Sequence, residues 1–167
     1  QIINISSEIF NPFAVLIFDS AFIQHPNILF VVAAGNNNRG TLFVAPASSG
    51  GLSNVITVGA TTLNDERKPE SNYGPLVSIG APGENVLSPT FFSGSFNLDD
   101  YDSAFGNTSA SAPMVTGVAG LIKAIKPDLT PAQIKTILTK VENTDSVTTE
   151  PSKPIGRRLN ALAAVCD

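Results

Sequence analysis

The sequence predicts an α/β fold with a mostly parallel β-sheet flanked by helices. Four short segments, at residues 2–5, 28–34, 55–59 and 77–79, are rich in β-branched and other apolar residues. Continuous apolar runs of this length are typical of strands buried on both faces of a parallel sheet. Helical patterns lie between and after these runs, as expected of an α/β domain.

The first predicted helix spans residues 12–24, between the first two predicted strands, and completes a β-α-β unit with them. His25 follows it directly and is interpreted as a surface residue. Residues 60–76 and 88–104 are rich in Asn, Asp, Ser, Gly and Pro, so we predict surface loops and turns there.

Two further helices are predicted in the second half of the chain. The longer begins at Ser109 or Ala110 and is apolar nearly all round, so we expect it to be buried. Pro113 limits where it begins, because proline is tolerated in the first turn, where its missing N–H has no helical partner. The next helix begins at a capping box, Thr130-Pro131-Ala132-Gln133.

Composition excludes several classes of function. The chain has 167 residues, which is the size of one domain, and a net charge of −4. It has no basic cluster longer than Arg157-Arg158, so we expect no nucleic-acid partner. No apolar run is long enough to span a membrane and no targeting signal is present at the start, so we expect no membrane partner.

Ser109 is the first candidate functional residue. A serine at the start of a buried helix lies beside free backbone N–H groups and the positive end of the helix dipole, which favour an oxyanion. The alternative is that Ser109 merely caps the helix, since serine is a favoured N-cap.

Asn36 is the second candidate. It follows a buried strand and Gly35, at the carboxyl end of the strand, where open α/β sheets place ligands. Its amide there is suited to donate a hydrogen bond to developing negative charge. The alternative is an ordinary turn residue after a strand.

Several ordered motifs together resemble one family. The segment GNTSASAPMVTGVAGLI, from Gly106, is similar to the serine-nucleophile motif of subtilisin-like serine proteases, and VVAAGNNN, from Val31, is similar to their oxyanion-hole strand. IINISSE, APASSGGLSNVITVGAT, SNYGPLVSIGAPGENVLS and GRRLNALAAV also fall in the order of the family. The related sedolisin family has Asp where Asn36 stands.

The resemblance implies a three-layer fold, a serine endopeptidase activity and a protein or peptide substrate. It implies that Ser109 is the nucleophile and that Asn36 helps to bind the oxyanion. It also implies a set of substrate-binding residues along the cleft: Ser6, Ser7, Glu8, Ala33, Ala34, Gly35, Asn107 and Thr108.

The family mechanism also needs a histidine and an aspartate, which lie upstream of the region that this chain resembles. Neither His25 nor any aspartate has the sequence surroundings of those residues. We therefore expect residues 1–167 to be the C-terminal portion of a catalytic domain, inactive alone, with the N-terminal half of that domain as partner. The resemblance implies that this half supplies the strands beside residues 2–5, which without it would form an unpaired apolar edge that invites pairing with another chain.

Two residues depart from the family pattern. Asn107 stands where the family has Gly, and its side chain is expected to strain the backbone or narrow the cleft. Glu8 stands where the family commonly has Gly along the wall of the main specificity pocket. It either confers a preference for basic side chains or points to solvent.

Two function classes remain open at this point: the endopeptidase, and a catalytically inactive peptide-binding module with the same fold. No cofactor is expected. The resemblance allows a structural calcium ion, but Asp99, Asp100 and Asp102 are interpreted as a solvated turn, so no metal ligands are assigned. The resemblance favours a secreted or extracytoplasmic location.

Overall fold

The structure is a computed structural model that describes residues 1–89 and 101–167, with only the backbone described for residues 101–104. The strands in these ranges are β1 (Ile2–Ile5), β2 (Ile9–Phe10), β3 (Leu29–Ala33), β4 (Val44–Ala45), β5 (Val55–Thr61), β6 (Ile79–Pro82), β7 (Val86–Pro89), β8 (Tyr101–Phe105), β9 (Thr144–Asp145) and β10 (Arg158–Leu159). The α-helices are α1 (Pro12–Gln24), α2 (Thr108–Ile125), α3 (Pro131–Thr139) and α4 (Ala161–Cys166).

The main sheet has six strands in the order β1-β3-β5-β6-β10-β9. Within this sheet β1, β3, β5, β6 and β10 are parallel to one another, and β9 pairs antiparallel with β10 at the edge far from β1. The predicted fold class is therefore confirmed. The predicted strand at residues 77–79 is displaced, because Ile79 is the residue at which β6 begins. In the described part of the chain, no strand pairs with the outer edge of β1.

Helices cover both faces of the sheet. On one face, Phe22 of α1 packs with Phe30, Val32 and Val55. On the other, α2, α3 and α4 pack over the alternate strand residues, whose side chains point the opposite way. The residues of this larger core include Leu29, Val31, Ile56, Val58, Ile79, Val115, Ile134, Leu138 and Ala164.

The long helix α2 differs from its prediction in two ways. Pro113 lies in the second turn, not in the first, because the helix begins at Thr108. The helix is also not buried all round, since Gly117, Leu121 and Ile125 are exposed along one stripe. Small and apolar residues at these positions do not by themselves determine which face is covered.

The predictions for α1 and α3 agree with the structure more closely than those for α2. Helix α1 has the predicted bounds, and His25 is exposed, as predicted. The side chain of Asn11, which the sequence did not single out, caps the start of α1. Thr130 and Gln133 form the predicted capping box at α3, in which the Thr130 N–H donates to Gln133 Oε1 at 2.8 Å. Within the two described ranges, no helix is both long and apolar enough to cross a membrane.

The predicted surface loops are wrong in part. Ser71 and Asn72, within the first of them, are 1% and 0% exposed. In the second, β7 and β8 pair as an antiparallel ladder. The solvated turn predicted at Asp99 and Asp100 lies outside the described residues, as does the side chain of Asp102.

Candidate active site

The start of α2 is built around Asn107, Thr108 and Ser109. Asn107 occupies the N-cap position, and its backbone oxygen accepts from the N–H groups of Ala110 at 3.0 Å and Ser111 at 3.2 Å. Ser109 is inside the first turn and is partly exposed, so it is not the N-cap. Among described residues its backbone N–H has no acceptor, which leaves a free donor beside its hydroxyl.

Asn36 lies against this helix start. Its Oδ1 accepts from the Thr108 backbone N–H at 2.9 Å and from Thr108 Oγ1 at 2.8 Å. Thr108 is fully buried, and its Oγ1 also accepts from the Gly35 N–H at 3.2 Å. Because Oδ1 is held twice, the amide Nδ2 is the part of Asn36 that remains to donate to a ligand. The structure thus brings Asn36 into contact with Thr108, the residue before Ser109, although 72 positions separate Asn36 from Thr108.

A buried asparagine that the sequence did not single out holds the same segment. Asn72 Oδ1 accepts from the N–H groups of Asn37 and Arg39, both at 3.0 Å. Its Nδ2 donates to the Ala34 oxygen at 2.9 Å, and its backbone N–H donates to the Gly35 oxygen at 2.8 Å. Asn72 belongs to the SNYG motif, but a loop-like composition gave no signal that its side chain is buried.

The end of β1 is tied to α2 through Ser6. Because Pro113 has no N–H, the Ser109 carbonyl lacks its usual helical donor, and Ser6 Oγ donates to it at 3.1 Å instead. Asn4 Nδ2 donates to Ser6 Oγ at 3.0 Å, and Asn4 Oδ1 accepts from Thr116 Oγ1 at 3.1 Å. The predicted substrate-binding residue Ser6 therefore has a clear structural contact, which positions β1 beside the nucleophile candidate.

Glu8 reaches from the end of β1 to the end of β3. Its Oε2 accepts from the Asn36 backbone N–H at 2.6 Å, and its Oε1 contacts Asn37 Nδ2. The side chain therefore does not point freely into solvent, which was one of the two expectations. Ser7, beside it, is exposed.

The alanines after β3 are placed differently from their neighbours. Ala33 packs in the larger core, and Ala34 packs with Val77 and Ile155. Gly35 has a φ of +96°, which favours glycine, and a Cβ there would collide with Glu8 and Asn72. Both backbone groups of Ala34 are hydrogen-bonded, since its N–H donates to the Val58 oxygen at 2.9 Å and its oxygen accepts from Asn72 Nδ2. The predicted binding role of Ala33 and Ala34 stays a prediction.

Asn107 has a strained backbone, as expected from its replacement of glycine. Its φ of +66° and ψ of −173° fall in a region that is used almost only by glycine. Its side-chain oxygen Oδ1 is also buried without a hydrogen-bond partner among described residues. The next turn is well satisfied, since Ser111 Oγ donates to the Ala81 oxygen at 2.9 Å.

In the described ranges no histidine or carboxylate is hydrogen-bonded to the Ser109 hydroxyl. Asp19 Oδ1 accepts from Ser49 Oγ at 2.5 Å, and Asp65 pairs with Arg158 at 2.8 Å. Neither is available to orient a base beside Ser109. The described residues also contain no group of His, Cys, Asp and Glu side chains that is suited to hold a metal ion.

Known proteins of one family match this chain along most of its length. A cuticle-degrading protease of Metarhizium anisopliae is 37% identical over 115 residues, which are 69% of this chain and 27% of the relative. An extracellular serine proteinase of a Thermus species is 38% identical over 111 residues, 66% of this chain and 25% of the relative.

Solved structures agree with these relatives. A protease of Pseudoalteromonas arctica superposes with a TM-score of 0.77 at 32% identity, covering 99% of this chain and 50% of that protein. A cold-adapted subtilisin-like serine proteinase superposes with a TM-score of 0.73 at 29% identity, covering 93% of this chain and 54% of that protein. The chain thus spans about half the length of these solved structures and about a quarter of the curated relatives.

The peptidase S8 family model, described as the subtilase family, matches residues 6–156, a range that includes Asn36, Asn72 and Ser109. Because this match covers far more than half of the sequence, the chain belongs to the subtilase family.

Proposed function

We propose that this chain carries the nucleophile and the oxyanion-binding part of a serine endopeptidase. The observation that carries the proposal is the pair of hydrogen bonds from Thr108 to Asn36 Oδ1. They hold the amide of Asn36 beside the first turn of α2, where the N–H of Ser109 has no acceptor among the described residues. Hydrogen-bond donors that are held in place beside a nucleophile are suited to stabilise the oxyanion that forms when it attacks a carbonyl carbon.

In the proposed reaction, Ser109 Oγ attacks the carbonyl carbon of the scissile peptide bond while a base takes its proton. The carbonyl oxygen becomes an oxyanion and accepts hydrogen bonds from the Ser109 N–H and Asn36 Nδ2. The carbon–nitrogen bond then breaks, the amine leaves with the proton from the base, and an ester forms on Ser109. Water hydrolyses this ester by the same steps in reverse order.

The base and the group that orients it are proposed to come from a polypeptide segment outside residues 1–167. A neutral serine hydroxyl is a weak nucleophile without a base. His25, the single histidine, is exposed at the end of α1, and the solved relatives are about twice as long. We therefore propose that residues 1–167 are the C-terminal portion of a catalytic domain and that its N-terminal half is the partner.

The substrate is proposed to be a protein or peptide, and the location extracytoplasmic. Relatives from Metarhizium, Thermus and Dichelobacter carry names of proteases, and two of these names include the word extracellular. A structural calcium ion is compatible with the family but has no assigned ligands here.

A fluorophosphonate probe, which esterifies activated serines, tests the proposal. We expect no labelling of the chain alone and labelling of Ser109 in the complete protein. In the complete protein, Asn36→Ala should lower kcat by about 10²–10³-fold, a range known from subtilisin itself, with little change in KM. Efficient labelling of the lone chain, or full turnover in Asn36→Ala, would contradict the assigned roles.

An inactive peptide-binding module with the same fold is the second candidate. It is favoured by the departures from the family pattern at Asn107 and Glu8, and because no histidine or carboxylate is bonded to the Ser109 hydroxyl in the described ranges. A complete protein that binds peptides but is not labelled at Ser109 would support this candidate.

A further inference from the structure

Glu8 and Thr108 hold Asn36 from opposite ends. Thr108 binds the side-chain oxygen of Asn36, whereas Glu8 Oε2 accepts from its backbone N–H at 2.6 Å. The other carboxylate oxygen, Oε1, contacts the side-chain amide of Asn37. These contacts restrict Asn36 at both its backbone and its side chain, and so limit the movement of its Nδ2.

We propose that Glu8 is a positioning residue, which fixes the backbone of Asn36 so that its Nδ2 stays aligned with the N–H of Ser109. This inference rests on the proposed endopeptidase function and adds a residue to it. Glu8 acts through Asn36 and need not touch the substrate. A donor that is already in place when the oxyanion forms needs no free energy for reorganisation. Glu8 is therefore expected to lower the free energy of the transition state and not that of the bound substrate.

The bonding of the carboxylate distinguishes this role from charge recognition. Each of its two oxygens faces an N–H group of the chain, at Asn36 and at Asn37. A negative charge beside an oxyanion site would oppose the oxyanion, so what the site uses is the acceptor, not the charge. Glutamine keeps one acceptor oxygen for the Asn36 N–H without the charge and places an NH2 group where the other oxygen contacts Asn37, so it is the informative replacement.

The experiment compares Glu8→Ala and Glu8→Gln in the complete protein, with peptide substrates that carry Lys or Leu before the scissile bond. We expect Glu8→Ala to lower kcat about tenfold with KM nearly unchanged, and Glu8→Gln to keep kcat within about threefold. Both variants should keep the same ratio of Lys to Leu cleavage. Glu84→Ala is the matched control, because Glu84 Oε2 also accepts a backbone N–H, from Leu63 at 2.9 Å.

A second measurement does not depend on turnover. Hydrogen exchange of the peptide that contains Asn36 should speed up in Glu8→Ala and remain slow in Glu8→Gln and Glu84→Ala. If Glu8→Ala fails to fold, Glu8→Asp replaces it, because its shorter side chain cannot reach the Asn36 N–H in the same geometry.

Three results would overturn the inference. One is an unchanged kcat in Glu8→Ala, and another is unchanged exchange at Asn36. The third is an equal loss in Glu8→Ala and Glu8→Gln that is confined to Lys substrates, which would make Glu8 a charge-recognition residue. A complete protein that cleaves no peptide and is not labelled at Ser109 would instead refute the proposed function, and the exchange measurement would still test the contact.

Discussion

Helix α1 and the segment that follows β3 show opposite relations between polarity and burial. On α1, Phe13, Leu16 and Ile17 are 75%, 66% and 70% exposed. After β3, residues 34–37 are held by the polar side chain of Asn72, which is 0% exposed. One apolar side of α1 is thus exposed, while amides and hydroxyls are buried beside the candidate site.

The difference shows that residue type alone does not decide how much a side chain contributes to the free energy of unfolding. The exposed side chains of α1 remove little surface from water in the described structure, so they add little to stability. The buried polar groups are matched donor to acceptor, so removing one leaves others unsatisfied at a large cost. Four predictions make this contrast measurable.

The largest effect is expected within α1 itself. Phe22→Ala should lower the free energy of unfolding by about 3–5 kcal/mol, because Phe22 is 2% exposed and packs on Phe30 with ring centroids 4.4 Å apart. Phe13→Ala, the matched control on the same helix, should change it by less than about 0.5 kcal/mol. Denaturant unfolding of both variants checks the pair, and a large loss in Phe13→Ala would show that α1 is covered.

A smaller but still large effect is expected at the polar region. Asn72→Ala should cost about 2–3 kcal/mol, because it leaves the Ala34 oxygen and the N–H groups of Asn37 and Arg39 without partners. The exposed Asn64→Ala is the control and should be nearly neutral. Equal unfolding midpoints for the two variants would contradict the contrast.

Asn107→Gly is expected to stabilise the protein by about 1 kcal/mol, because glycine adopts the observed φ of +66° without strain. Asn107→Ala separates strain from the unpartnered Oδ1, since it removes the oxygen but keeps a Cβ. We expect no gain in Asn107→Ala. Thermal unfolding compares the two, and a gain in Asn107→Ala alone would assign the cost to the oxygen.

The smallest effect is expected at Lys135, where the side chain is partly buried and Nζ donates to the oxygens of Gly50 and Leu52. Burial lowers the pKa of Lys135 below its ordinary value of 10.5. Between that lowered pKa and 10.5, the unfolded chain binds more protons than the folded chain, so stability should rise with pH across this window. Lys135→Met should lose this rise, which unfolding curves at several alkaline pH values check.

Much of the fold was predictable because helices, strands and caps depend on residues that are close together in the sequence. The apolar runs at β1, β3 and β5, the helix between the first two and the capping box at Thr130 depend on neighbours a few positions away. Pro113 was misplaced for the opposite reason. Its cost in the second turn is offset by Ser6, whose hydroxyl binds the freed Ser109 carbonyl from 103 positions away.

The candidate site was predictable in part for the same reason. Ser109 and Asn36 stood out through ordered motifs, and the structure bonds Asn36 to Thr108, the residue before Ser109. Asn72 gave no such signal, since the residues beside it in the sequence do not distinguish an exposed turn from a buried side chain that hydrogen-bonds another segment. The two expectations for Glu8 were likewise undecided until its carboxylate was found against the Asn36 N–H.

By itself, the sequence determined the parallel sheet and the order of its main strands and helices, and it singled out Ser109 and Asn36 as the candidate hydroxyl and amide of a site. These follow from backbone periodicity and from motifs that are contiguous in the chain. Only the tertiary structure decided which polar groups are buried together, which side of α1 is left uncovered and what Glu8 binds. Hydrogen bonds between distant segments depend on where the strands end in space, and no local pattern encodes that position.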